Sequence, residues 1–350
     1  MLLKSELEYV DTKSDFKPLP KHGHLSQKIP EYTAAEAAIG AAFSPFWSCP
    51  DFATFRQVAG DADAAMPPGG PDRSRDVVSE LLQFPARDGT MIELKVYKSP
   101  KFTQDATLMY RMHGGGWTVG RHEVDGAENV FAAANPNIVV VSVDYRKAPE
   151  HPFPQPLYDS YDSLLWCKEN AKALGVNPER IIVSGSSAGA NLAAALALEA
   201  RNDGITGIVA QVLHFPAVCH PKFFPAETYE LGSMMQNYKN PVLSASMWEA
   251  FLDAYMPHAE PDSRHSPLLA TSHRNLPPAL IQCAGADILR DEAFAYAEAL
   301  QTAGVEVEIY GYTGVPHCFP GILTNISETS TFYKRYNAFL EKHIRNEGSR

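Results

Sequence analysis

Residues 180–197 read RIIVSGSSAGANLAAALA. The β-branched run Ile181 to Val183 leads into Gly185-Ser186-Ser187-Ala188-Gly189, and an alanine- and leucine-rich run follows at once. β-Branched side chains favour strands, whereas alanine and leucine are among the strongest helix formers. The stretch therefore predicts a strand, a tight turn and a helix. The flanking glycines let neighbouring backbone approach closely, so Ser187 is expected in a strained conformation with its hydroxyl exposed at the helix N-terminus. G-x-S-x-G in that setting is where a serine nucleophile sits.

Runs of the same apolar kind recur outward along the chain: MIELKVYKS (91–99), TLMYRMH (107–113), NIVVVSVDY (137–145), GIVAQVLHF (207–215), ALIQCAG (279–285) and VEVEIYGY (305–312). Helical stretches are expected near 157–174, 187–202, 291–303 and 327–346. Apolar strands alternating with helices describe an α/β protein with a mostly parallel sheet covered on both faces. One interval breaks the rhythm. Residues 216–265 lack a strand signal and carry the helix SASMWEAFLDAYM (244–256), with Trp248, Phe251, Leu252 and Tyr255 on one face. That stripe reads as ordinary packing, with substrate lining as the alternative. Residues 1–75 mix charge with proline and alanine and suggest one or two helices, ending in the turn-rich MPPGGPDRSRD (66–76). The expected organisation is a core of 76–215 and 266–350, with 1–75 and 216–265 forming a cap over it.

A serine hydroxyl is a weak nucleophile unless a base takes its proton and an acid orients that base. His317, in the loop leaving the last strand, is the expected base. Asp287, just beyond the strand ALIQCA, is the expected acid, with Asp291 and Glu292 close behind as competitors. Cys318 reads as a small packed side chain. Attack on a carbonyl also creates an oxyanion that needs N–H donors aimed at it. Ala188, after the nucleophile, supplies one. HGGGW (113–117) supplies the others from Gly114 and Gly115, in a loop pressed so close that a Cβ would interfere.

The net charge of −11, without a basic run, argues against nucleic acid and anionic membranes as partners. Five cysteines without a C-x-x-C pair read as buried thiols, and His22 and His24 read as solvated side chains, so no metal site is expected. Charges interrupt the N-terminus too early for a signal peptide, and no apolar run is long enough to span a membrane. The expected compartment is cytoplasmic.

From about residue 80 onward the sequence resembles the hormone-sensitive-lipase-like carboxylesterases of the α/β-hydrolase superfamily. HGGGW, DYRKAPEHPFPQPLYD (144–159), GSSAGANLA, SPLLA, LPPALIQCAGADILRDE and VPHCF carry the resemblance, in the family's order. It implies an α/β-hydrolase fold with about eight strands and a helical cap, and hydrolysis of carboxylic esters without metal or organic cofactor. Arg146 and Glu150 of the second motif would fix their loop against the core by paired charge. The chain departs from the family at Ser186, Ala190, Ile288 and Cys318, where Asp, Gly, Pro and Gly are frequent; none of these removes a catalytic group. Trp117, Met234, Met235, Trp248 and Phe251 are candidates for lining an apolar substrate site, which suits short or medium acyl chains or a hydrophobic small-molecule ester. Acyl transfer, lactone opening and amide hydrolysis would use the same triad. A non-catalytic small-molecule receptor on this fold, as in the plant gibberellin receptors that lost the histidine, is the reading from another class.

Overall fold

The structure is a computed structural model and describes residues 20–60 and 63–344. The stretch read for a signal peptide lies outside the described residues. Eight strands form one sheet: β1 (Val78–Pro85), β2 (Met91–Lys98), β3 (Ala106–Met112), β4 (Ile138–Val143), β5 (Val176–Ser186), β6 (Ile208–His214), β7 (Ala279–Ala284) and β8 (Val307–Tyr312). Their order is β1-β2-β4-β3-β5-β6-β7-β8. β2 runs antiparallel to both neighbours and the rest pair in parallel.

The described helices are α1 (Pro30–Trp47), α2 (Phe52–Ala59), α3 (Gly126–Ala133), α4 (Gln155–Glu169), α5 (Ala171–Leu174), α6 (Ala188–Asn202), α7 (Gly232–Gln236), α8 (Ala245–Tyr255), α9 (Arg290–Thr302) and α10 (Ser327–Ile344). Alternate residues of the central strands feed opposite faces of the sheet, as the strand period dictates. Leu108, Tyr110 and Val141 pack with Leu157 of α4, Leu192 of α6 and Leu300 of α9. Met109, Val140 and Ile182 pack on the other face with Val130 of α3 and Phe332 and Tyr336 of α10. The alanines of α6 leave it thin enough to lie close beneath the turn at Ser187, and most of it is buried. None of the described helices is long and apolar enough to cross a membrane.

β1, α3 and the five-residue α7 were not legible. β1 is exposed along most of its length, so it carries no apolar pattern; it is an edge strand held by its pairing with β2. α3 lies in DGAENVFAAANPN, too short and too rich in small residues to signal itself. His22 corrects an expectation. It is half-buried and stacks on Phe294 with ring centroids 3.7 Å apart, and desolvation lowers its pKa. All five cysteines are free, and four are buried.

Candidate active site

β5 delivers Ser187 into the turn with φ 55° and ψ −120°, a backbone conformation a side chain rarely adopts. What holds it there is crowding. A Cβ on Gly185 would lie 2.2 Å from Gly189 backbone, and one on Gly189 would lie 2.1 Å from the Met112 carbonyl. The Ser187 amide donates to the His214 carbonyl at 2.8 Å, tying the turn to β6.

Three loops at the carboxyl ends of parallel strands converge here, where open α/β sheets place their sites. The Ser187 hydroxyl donates to His317 Nε2 at 2.9 Å, and His317 Nδ1–H donates to Asp287 Oδ2 at 2.6 Å. The other Asp287 oxygen accepts from the Leu289 amide at 3.1 Å. The competing carboxylates are occupied elsewhere. Asp291 accepts from the Ser233 amide and from Arg290, both at 2.7 Å. Glu292 accepts from the Val218 and Cys219 amides at 3.1 and 3.0 Å, and burial pushes its carboxyl up to about 8. Burial disfavours the His317 imidazolium, but the Asp287 charge and hydrogen bond outweigh it and hold the imidazole well above its ordinary value. Cys318 takes a left-handed conformation with φ 51°, and burial raises its pKa, so it stands beside His317 as a neutral thiol.

The glycine loop lies against this turn. A Cβ on Gly114 would sit 3.1 Å from the Ser186 carbonyl and 3.6 Å from the Ser187 Cβ. Gly115 has φ +121°, and its Cβ would meet the Val119 carbonyl at 2.1 Å. Gly116 has φ +57°, and its Cβ would fall within 2.4 Å of the Phe251 ring. His113 Nδ1 hydrogen-bonds the Gly114 carbonyl at 2.7 Å, and Tyr145 donates to the His113 carbonyl at 2.8 Å. Ala188 opens α6, where the first amides have no partner within the helix.

The lining candidates divide. Trp117 is buried, stacks on Tyr255 at 4.4 Å and meets Trp248 at 5.4 Å. Phe251 stacks on Phe52 of α2 at 5.6 Å and meets Trp47 of α1 edge-on. Met234 packs half-buried against the core, whereas Met235 is exposed. A groove of about 840 Å³ between Pro71, Phe131 and Leu340 opens at the other end of the sheet and includes no triad residue. Among the described residues no group of three or more His, Cys, Asp or Glu side chains could hold a metal ion.

Arg146 pairs with Asp159 at 2.6 Å and Asp88 at 2.7 Å, within its motif and to the β1–β2 turn. Glu150 instead reaches out to Arg56 of α2, which also donates to the Thr118 carbonyl at 2.7 Å. Arg111 went unnoticed in the sequence. It is wholly buried on β3, donates to Ser184 and Ser186 at 2.9 and 3.1 Å, and pairs with Asp125 at 3.2 Å. A charge inside the otherwise apolar TLMYRMH was the available signal.

A family model described as alpha/beta hydrolase fold matches residues 109–321. The AB hydrolase superfamily protein B1A11.02 of Schizosaccharomyces pombe is 36% identical over 248 residues, covering 69% of this chain and 72% of that protein. Carboxylesterase NlhH of Mycobacterium tuberculosis is 38% identical over 226 residues, covering 63% of this chain and 68% of its own. A mutant of esterase rPPE complexed with (S)-Ac-CPA superposes with a TM-score of 0.79 at 27% identity, over 92% of this chain and 100% of that one. The chain therefore belongs to the hormone-sensitive-lipase-like carboxylesterases of the α/β-hydrolase fold, and it is an ester-cleaving serine hydrolase.

Proposed function

We propose that Ser187 is the nucleophile, His317 the general base and Asp287 the acid that orients it. The unbroken hydrogen-bonded line from Ser187 through His317 to Asp287, at 2.9 and 2.6 Å, carries this reading. With Nδ1–H held by Asp287, the lone pair of Nε2 faces the serine hydroxyl, the tautomer a base requires. His317 takes the Ser187 proton as the oxygen attacks the ester carbonyl. The amides of Gly114, Gly115 and Ala188 meet the resulting oxyanion. His317 then gives its proton to the departing alcohol, leaving an acyl-enzyme. Water, deprotonated by the same imidazole, releases the acid and restores Ser187.

The described part of residues 1–75 acts together with 216–265 as the cap, a reading supported by the aromatic contacts of α8 with α1 and α2. Esters of short or medium acyl chains, or of a hydrophobic small molecule, suit a nucleophile that is only 6% exposed. A fluorophosphonate should label the wild type and leave Ser187→Ala unlabelled; an unlabelled wild type would overturn the nucleophile assignment. A panel of p-nitrophenyl esters graded by chain length should peak at short or medium chains. Greatest activity on long-chain triglyceride emulsions would overturn the substrate class.

A further inference from the structure

The amides of Gly285 and Ala286 donate to the carbonyls of Tyr312 and Val315, at and just past the end of β8, but the carbonyls of the turn carrying Asp287 lie past the strand pairing and need partners from elsewhere. Three consecutive carbonyls find them on one short segment. Asn240 donates to the Ala286 carbonyl at 2.6 Å, Asn237 to that of Asp287 at 3.0 Å, and Ser233 to that of Ile288 at 2.7 Å. Positions 233, 237 and 240 recur at the helical spacing, so α7 and the turn after it present all three side chains on one face. Backbone bonds from Asn237 to Ser233 and from Asn240 to Asn237 keep that face continuous. The Ser233 amide also donates to Asp291, and the Asp291 amide returns a bond to the Ser233 hydroxyl at 3.1 Å.

A second layer locks the first. Asn237 also donates to Ser26, ahead of α1, at 3.2 Å. Arg290, wholly buried, donates to Ser26 at 2.6 Å and to Gln236 at 2.8 Å. Two pieces of chain far from it in sequence, Ser26 and segment 233–240, thus close on the turn that holds Asp287.

We infer that segment 233–240 positions the catalytic acid, with Asn237 fixing the Asp287 peptide and, through it, the carboxylate that faces His317. The inference rests on the acid role proposed for Asp287. The Asp287 carboxylate is bound at one oxygen by His317 and at the other by the Leu289 amide of its own turn, so its direction follows the turn. Displacing 233–240 would swing the carboxylate away from the imidazole.

Asn237→Leu, Asn240→Leu and Ser233→Ala test this by steady-state kinetics across pH, with thermal melts to establish folding. In Asn237→Leu, kcat is expected to fall at least about tenfold, the scale of a small misplacement of catalytic groups, with KM changed less than about twofold. The acid limb of kcat/KM should also move to lower pH, because His317, faced also by the neutral Cys318 thiol and the Glu292 carboxyl that burial raises, loses the support of the Asp287 charge. A folded Asn237→Leu with wild-type kcat and an unmoved acid limb would overturn the inference. If Asn237→Leu does not fold, Asn237→Ser, which keeps a shorter donor, and Ser233→Ala give the same two readouts. An inactive Asp287→Asn beside a wild-type-like Asn237→Leu would sink the positioning role alone. A fully active Asp287→Asn would remove the acid assignment and this inference with it.

Discussion

Gly115 has both a positive φ and a Cβ position 2.1 Å from the Val119 carbonyl, so no side chain fits without moving backbone. Gly115→Ala should therefore misaim a donor at the oxyanion and cost about 3 kcal/mol of transition-state stabilisation, roughly a hundredfold in kcat. A short p-nitrophenyl ester measures it; a kcat within about threefold of wild type would remove Gly115 from the oxyanion loop. His317 sets the pH dependence. Burial opposes its protonation, but Asp287 prevails and raises its pKa well above 6.5. The base is active when neutral, so kcat/KM should rise with pH through an inflection above 6.5, and Asp287→Asn should move that inflection down. An inflection below the ordinary histidine value would contradict the ion pair.

Among the elements, α8 carries the most consequence for the site. Its Trp248 and Tyr255 pack on Trp117, and its Phe251 ring occupies the space a Cβ on Gly116 would need. The stripe is packing, but what it packs against is the loop expected to bind the oxyanion. α2 reaches the same loop directly through Arg56, which donates to the Thr118 carbonyl, and indirectly through Phe52, which stacks on Phe251 of α8. Phe251→Ala should lower stability by about 3–5 kcal/mol through the cavity it leaves, with kcat falling because Gly116 loses its backing. Chemical denaturation and ester kinetics check the two parts separately.

At the scale of the molecule, the sheet brings the loops after β5, β7 and β8 to one end, and the ring contacts of α8 with α1 and α2 support the proposed cap of the first helices and the insertion over that end. Trp47, Phe52 and Phe55 share a core with Trp117, Trp248 and Phe251. A chain beginning at residue 76 should thus uncover aromatic surface on the core, lose esterase activity and bind a hydrophobic dye. An active, monodisperse core from residue 76 would show that the N-terminal helices are dispensable to the site.

The sequence by itself determined the alternation of strands and helices, the nucleophile turn and the order of serine, carboxylate and histidine. Each of these is a local property, set by side-chain period, by glycine at crowded positions and by residue chemistry. β1 escaped because an exposed edge strand has no apolar alternation to read. The sequence favoured Asp287 over Asp291 and Glu292 by its place just beyond β7; what the tertiary structure adds is the partner each carboxylate meets across the fold, His317 for Asp287, the Ser233 amide for Asp291 and the Val218 and Cys219 amides for Glu292. The hold of Ser233, Asn237 and Asn240 on the acid turn was equally invisible, because polar side chains at helical spacing gain meaning from the buried carbonyls opposite them. Those carbonyls lie about fifty residues further along the chain, and the fold alone sets them within hydrogen-bond reach.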